Sequence, residues 1–224
     1  MRIALSYGTF EVCPADLAVN RPTVTEGFWD PVLKPCLDQV PEGSLVLDIG
    51  AHVGFYSAYL ARVRHCRVIA YEGNPRYWPL LASNVARLSV LVQPFFLYSR
   101  RCQLVEHTEH ATPASNTWLP HRWQGVPAYP LDYWLPTIRA AEKARRTPLA
   151  FMKIDAQGAD LQILKGAKRT IARYHPTLLV EYEPALALQH GDSGQDYEQW
   201  SEDHGYVPEA IAGRDLYLTW TGRQ

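Results

Sequence analysis

The spacing of hydrophobic positions along this chain switches repeatedly between two patterns, and the switches outline a layered α/β fold. Compact apolar runs at residues 45–49, 68–72, 90–97, 150–154 and 177–182 read as strands buried on both faces. Between the first two, Phe55, Tyr59, Leu60 and Val63 recur at helical spacing and place a helix over 54–64. Similar segments predict helices at 76–88, 131–143, 159–173 and 195–203. Strands alternating with helices imply a mostly parallel sheet with right-handed crossovers. The chain closes with runs at 206–211 and 215–220 about Gly213, which predict an antiparallel hairpin and bring the sheet to seven strands. Residues 1–40 read as a decoration: a strand at 2–6, then a helix capped at Thr25 and ending near Val40, with Pro35 interrupting it. An added strand is expected at 102–106. Residues 107–129 are the least regular part.

Composition narrows the class further. With 224 residues, a single α/β domain over 1–224 is the natural reading. The balance of 22 basic and 23 acidic residues makes no global case for nucleic acid or an anionic membrane. Cys13, Cys36, Cys66 and Cys102 are scattered, without a Cys-x-x-Cys pair, as expected of reduced thiols in a cytoplasmic protein. Uncharged stretches such as 88–99, broken by Pro94, are too short to span a bilayer. The short apolar run before Ser6 does not read as a secretory signal.

The candidate chemistry begins at Val46-Leu47-Asp48-Ile49-Gly50-Ala51-His52-Val53-Gly54, with Glu72 following after a helix-length gap. Gly50 permits a sharp exit from strand into helix, and an acidic residue about 20 positions on is placed to grip ribose hydroxyls. A dinucleotide site wants Gly-x-Gly-x-x-Gly; here His52 stands at the second glycine and should obstruct a close diphosphate. The pattern Asp-x-Gly-x-x-x-Gly suits an adenosine ligand without phosphates, which is S-adenosylmethionine.

Downstream lie Lys153-Ile154-Asp155-Ala156-Gln157-Gly158-Ala159-Asp160 and Leu164-Lys165-Gly166-Ala167, then Pro176 to Glu181, with Pro130-Leu131-Asp132 before them. Together with Val46 to Tyr56, these resemble the FkbM-type methyltransferase family over about residues 26–184. The resemblance implies a Rossmann-like domain using S-adenosylmethionine, usually to methylate a hydroxyl oxygen of a small molecule or sugar. It also implies a cofactor set of Asp48, Gly50, Ala51, His52, Gly54, Phe55, Glu72, Gly73, Asn74 and Asp155. This chain departs from the pattern in three places. His52 replaces the usual asparagine, Glu72-Gly73-Asn74-Pro75 replaces Glu-Pro-x-Pro, and Gln157 replaces the glutamate of Asp-x-Glu-Gly.

Several roles stay open at this level. Asp48 either orients the glycine loop or reaches the cofactor's amino group. Asp155 is either a base for a poorly acidic hydroxyl or a cofactor contact. Glu181 is a base, an acceptor anchor or a cap on Gln157. His52 binds the methionine carboxylate, acts as a base near neutral pH, or packs under the loop. A divalent metal held by Asp155, Asp160 and Glu181 is the less favoured route, because Gln157 removes one anionic ligand. His107, His110 and His121, with Trp118 and Trp123, do not match a zinc spacing and read as a lid over 107–127, with a solvated loop carrying incidental tryptophans as the alternative. Two rival functions remain: an RNA-directed methyltransferase using the Arg and aromatic residues of 118–146, and a cofactor-binding protein without turnover.

Overall fold

The computed structural model describes residues 1–16, 27–107, 116–145, 147–211 and 214–222. Its central element is a seven-stranded sheet. The five parallel strands are β3 (Leu45–Ile49), β4 (Arg67–Tyr71), β5 (Val90–Gln93), β10 (Leu149–Ile154) and β11 (Thr177–Glu181). The closing hairpin, β12 (Tyr206–Ile211) and β13 (Asp215–Trp220), joins antiparallel through β13 against β11. The order is β12-β13-β11-β10-β3-β4-β5. The chain therefore winds outward from β3 to β4 and β5, then returns to the other side of β3 through β10. The gap between the ends of β3 and β10 is the topological switch point, where open α/β sheets bind ligands.

Each face of the sheet carries its own core. Leu45, Leu47, Ile49, Met152 and Ile154 pack into one cluster, while Val46, Phe151 and Leu179 pack into the other. This is the alternation a strand covered on both sides must show. The second cluster is completed by α2 (Phe55–Arg62), by Leu81 and Val85 of α3 (Trp78–Val85), and by the amino-terminal residues. Those residues form a hairpin, β1 (Arg2–Leu5) with β2 (Gly8–Glu11), and the short helix α1 (Lys34–Asp38). The expected longer helix ending near Val40 shrinks to α1, with Pro35 in the first turn, where its missing N–H costs nothing. Asn84 of α3 ties this decoration to the glycine loop. Its Nδ2 donates to the Glu11 carbonyl (2.9 Å) and the Val53 carbonyl (2.8 Å).

On the opposite face lie α4 (Leu135–Arg145), α5 (Asp160–Lys165), α6 (Lys168–Tyr174), α7 (Pro184–Gln189) and α8 (Gly194–Asp203). The predicted helix over 159–173 is two helices, separated at Gly166, which caps α5. There the Leu131-Asp132 element has a mechanical role. Asp132, in a one-turn 3₁₀ helix at Leu131–Trp134, accepts from the Arg169 and Thr170 backbone N–H groups (2.8 Å each), and so caps α6 from a distant element.

The predicted strand at 90–97 breaks at Pro94. Its second half, β6 (Phe96–Leu97), enters a separate four-stranded sheet with β7 (Cys102–His107), β8 (Thr117–His121) and β9 (Val126–Tyr129). The irregular structure expected over 107–129 is therefore corrected at 117–121 and 126–129, where two strands run; residues 108–115 lie outside the described residues. His107 ends β7 and His121 ends β8, where its Nδ1 accepts from the Trp123 and Gln124 N–H groups at 3.3 and 3.1 Å. His110 lies outside the described residues. Among the described residues no helix is long and apolar enough to cross a membrane.

Candidate active site

The strand ends at the switch point open into a cavity of about 530 Å³, within the roughly 300–1,000 Å³ typical of small-molecule and cofactor sites. Gly50, Ala51, His52, Phe55, Glu72, Gly73, Asn74, Asp155 and Glu181, all expected from the sequence, line it together. Gly50 sits at φ +75°, and any side chain there would run into the Asp155 carbonyl, so only glycine lets the β3 and β10 exits meet. Asp48 and Gly54 do not line the cavity. Asp48 is fully buried and accepts from Ser57 Oγ at 2.6 Å. Gly54 caps α2 at φ +91° against Leu81 and Val85. Both shape the loop from behind.

Glu72 latches the loop to its own strand. One carboxylate oxygen accepts from the His52 N–H (2.7 Å) and the other from the Asn74 N–H (2.7 Å). Burial raises its pKa, and the Asn74 N–H opposes that shift. Each oxygen keeps a second lone pair, enough to accept ribose hydroxyls. The Gly50 and Ala51 N–H groups both donate to the Tyr71 carbonyl, at 2.9 and 3.0 Å. These loop donors are thus engaged within the protein and do not form the anion nest a diphosphate needs. Those engaged donors disfavour a dinucleotide, as the bulk of His52 does. The His52 imidazole is held instead by Asp16 (Nε2 to Oδ2, 3.3 Å) and meets the Tyr77 ring edge-on at 4.2 Å.

Two aromatic pairs wall the cavity. Trp29 stacks on Phe55 with centroids 4.2 Å apart, and Phe96 lies against Trp118 at 4.7 Å. The Phe96 ring occupies the space a side chain at position 73 would need, which explains glycine where the family pattern has proline.

The acidic end is organised by Lys153, which the sequence reading passed over. It is 2% exposed. Its Nζ reaches Asp155 Oδ2 at 3.1 Å, the Gly50 carbonyl at 3.0 Å and Asp48 Oδ1 at 3.6 Å. Burial alone would lower its pKa, but the Asp155 and Asp48 charges outweigh that and hold the ammonium above the ordinary lysine range. A lysine inside the apolar run of a doubly covered strand was the available signal, since such a residue must be paired. Around it gather the carboxyls. Gln157 Nε2 lies 3.4 Å from Asp155 Oδ1 and 3.2 Å from Glu181 Oε2, bridging the two. Burial, then the Asp155 charge, raises the Glu181 pKa well above the carboxylate range. Asp160 is spent on its own loop, accepting from the Ala156 and Gly158 N–H groups at 2.8 and 3.0 Å. Among the described residues no group of three or more His, Cys, Asp or Glu side chains is arranged to hold a metal ion.

Asp215 of β13, opposite Glu181 in register, is pushed to about 7 by burial and then by Asp155. A carboxyl whose folded pKa lies above its unfolded value contributes stability below the ordinary carboxylate range and loses it as pH rises to about 7. Asp215→Asn should therefore raise the melting temperature at pH 8 more than at pH 5. Thermal unfolding at both values checks this; an equal effect at both would remove Asp215 from the charge cluster.

A doubly wound sheet with a buried carboxylate after its second strand and a cavity at the switch point is the architecture of an S-adenosylmethionine-dependent methyltransferase. The lining is compatible with that cofactor: the Glu72 oxygens keep free lone pairs, and two aromatic pairs could flank a base. The family described as Methyltransferase FkbM domain matches residues 48–208, and the chain belongs to that family. Among solved structures, the FkbM methyltransferase of Methylobacillus flagellatus KT is 18% identical at a TM-score of 0.48, covering 79% of this chain and 43% of that one. This chain thus spans less than half of that protein's length. A precorrin-6y C5,15-methyltransferase from Geobacter metallireducens GS-15 is 16% identical at 0.47, covering 93% and 91%. A SAM-dependent methyltransferase from Aquifex aeolicus is 14% identical at 0.49, covering 93% and 98%. No curated protein matches the chain.

Proposed function

We propose that the chain methylates a hydroxyl oxygen of a small molecule or sugar, with the acceptor seated between Asp155 and Glu181. The observation that carries this reading is the convergence of those two carboxyls on one amide, Gln157 Nε2, at the mouth of β10 and β11. A hydroxyl is a poor nucleophile until its proton is drawn off, and a base works best when its pKa lies near the working pH. Glu181, which burial and then the Asp155 charge push above its ordinary value, faces the acceptor position from β11 and is assigned the proton. The bound sulfonium supplies the methyl group. The chain's own residues orient the acceptor oxygen, exclude water behind the Phe96–Trp118 and Trp29–Phe55 walls, and take the proton. His52, engaged by Asp16, positions the loop. A cytoplasmic setting is consistent with the free cysteines Cys13, Cys36, Cys66 and Cys102.

The test is a panel of acceptors incubated with methyl-labelled cofactor: sugars, polyols, phenols, amines and RNA. Label in hydroxyl acceptors as an alkali-stable ether supports the proposal; label only on nitrogen contradicts it. One feature favours the RNA reading: Trp123 is 76% exposed at the β8–β9 tip, with the Arg122 guanidinium 4.8 Å from its ring centroid. Label confined to RNA, with binding that weakens steeply in salt, would decide for that reading.

A further inference from the structure

A chain of hydrogen bonds outside the cavity ends on the residue that bridges the two carboxyls. Thr117 Oγ1 donates to the Gln157 carbonyl at 2.9 Å and lies 3.1 Å from His190 Nε2. The other nitrogen of that ring, Nδ1, lies 3.2 Å from the Tyr98 hydroxyl. The direction of every proton follows from the last acceptor. The Gln157 carbonyl can only accept, so the Thr117 proton points to it and a Thr117 lone pair faces His190. His190 must then carry its proton on Nε2, leaving Nδ1 to accept from Tyr98. Burial lowers the His190 pKa to about 4, so the ring stays neutral and the order holds at working pH. Asp192, the charge that pulls the other way, is itself paired with Lys165 at 2.6 Å.

Gln157 needs such support. Its backbone sits at φ +53°, a left-handed conformation that disfavours a long side chain. The geometry assigns Tyr98, His190 and Thr117 as positioning residues that hold Gln157 across Asp155 and Glu181, and so set the acceptor end of the site. Thr117 also opens β8, directly before Trp118, which lines the cavity. The accessory sheet is thereby registered to the carboxyl pair through one hydroxyl. This inference rests on the reading that the acceptor sits at that end.

Nuclear magnetic resonance on the intact protein tests it without an acceptor. In the wild type, ¹⁵N shifts should show His190 protonated on Nε2 and bare on Nδ1. A ¹³C-glutamate titration, assigned with Glu181→Gln, then follows Glu181 among its neighbours Asp155, Asp160, Asp215 and Lys153. Thr117→Val should move the Glu181 midpoint further up, because a slackened Gln157 stops donating to the charged form. Thr117→Ser should restore it, and affinity for S-adenosylhomocysteine should stay within about twofold in both. A His190 proton on Nδ1, or a Glu181 midpoint unmoved in Thr117→Val, would overturn the assignment. If Thr117→Val does not fold, the wild-type tautomer still decides. An acceptor panel that fails leaves these readouts intact, so the two failures are separable.

Discussion

Asp155→Asn should lower methyl transfer to the true acceptor by about 10²-fold or more, the usual scale for disabling acid–base help at the acceptor, to which Asp155 contributes beside Glu181. The substitution keeps the shape at the β10 exit and removes a charge that faces Gln157, Lys153 and the cavity. Affinity for S-adenosylhomocysteine should change much less, because Glu72 and the glycine loop stay as they are. A parallel fall in affinity and turnover would make Asp155 a cofactor contact. Wild-type turnover would take Asp155 out of the reaction, and with it the placement of the acceptor between β10 and β11.

The largest stability effect is expected at Lys153. Breaking a buried ion pair from one side typically costs about 3–5 kcal/mol, because the partner is left charged and desolvated. Lys153→Met would leave Asp48, which has no exposed surface, with Ser57 as its hydrogen-bond donor. It would also release the Gly50 carbonyl that Lys153 holds at 3.0 Å. Denaturant unfolding should show a loss on that scale, and adding Asp48→Asn should recover part of it. A loss below about 1 kcal/mol would mean that the Lys153–Asp48–Asp155 group does not act as a unit.

Much of this arrangement was legible in the chain because it rests on local periodicity. The seven-stranded sheet, the 206–211 and 215–220 strands and the cofactor-side residues at the strand ends all follow from apolar runs and their exits. The reading failed where tertiary contacts override local pattern. β8 and β9 carry Pro120 and Pro127, which read as loop signals, yet Pro120 lies on the edge strand of the accessory sheet, where a missing N–H is tolerated. One periodic segment divides into two helices at Gly166, where the Tyr98 backbone lies close and leaves no room for a side chain. Helix α7 begins at Pro184, with the proline in its first turn, and was not foreseen. At the site, the sequence placed Asp155 and Glu181 on one rim without showing that Gln157 joins them. The span from Thr117 to His190 crosses 73 residues, a separation no local motif encodes.

The cavity is expected to hold adenosine through Glu72 and to leave no place for a diphosphate. Calorimetry with S-adenosylhomocysteine and with NAD tests it on one protein. Micromolar binding of S-adenosylhomocysteine is expected, with no heat from NAD. Glu72→Gln should weaken the first by tenfold or more, about 1.4 kcal/mol. Micromolar binding of NAD without binding of S-adenosylhomocysteine would contradict the account.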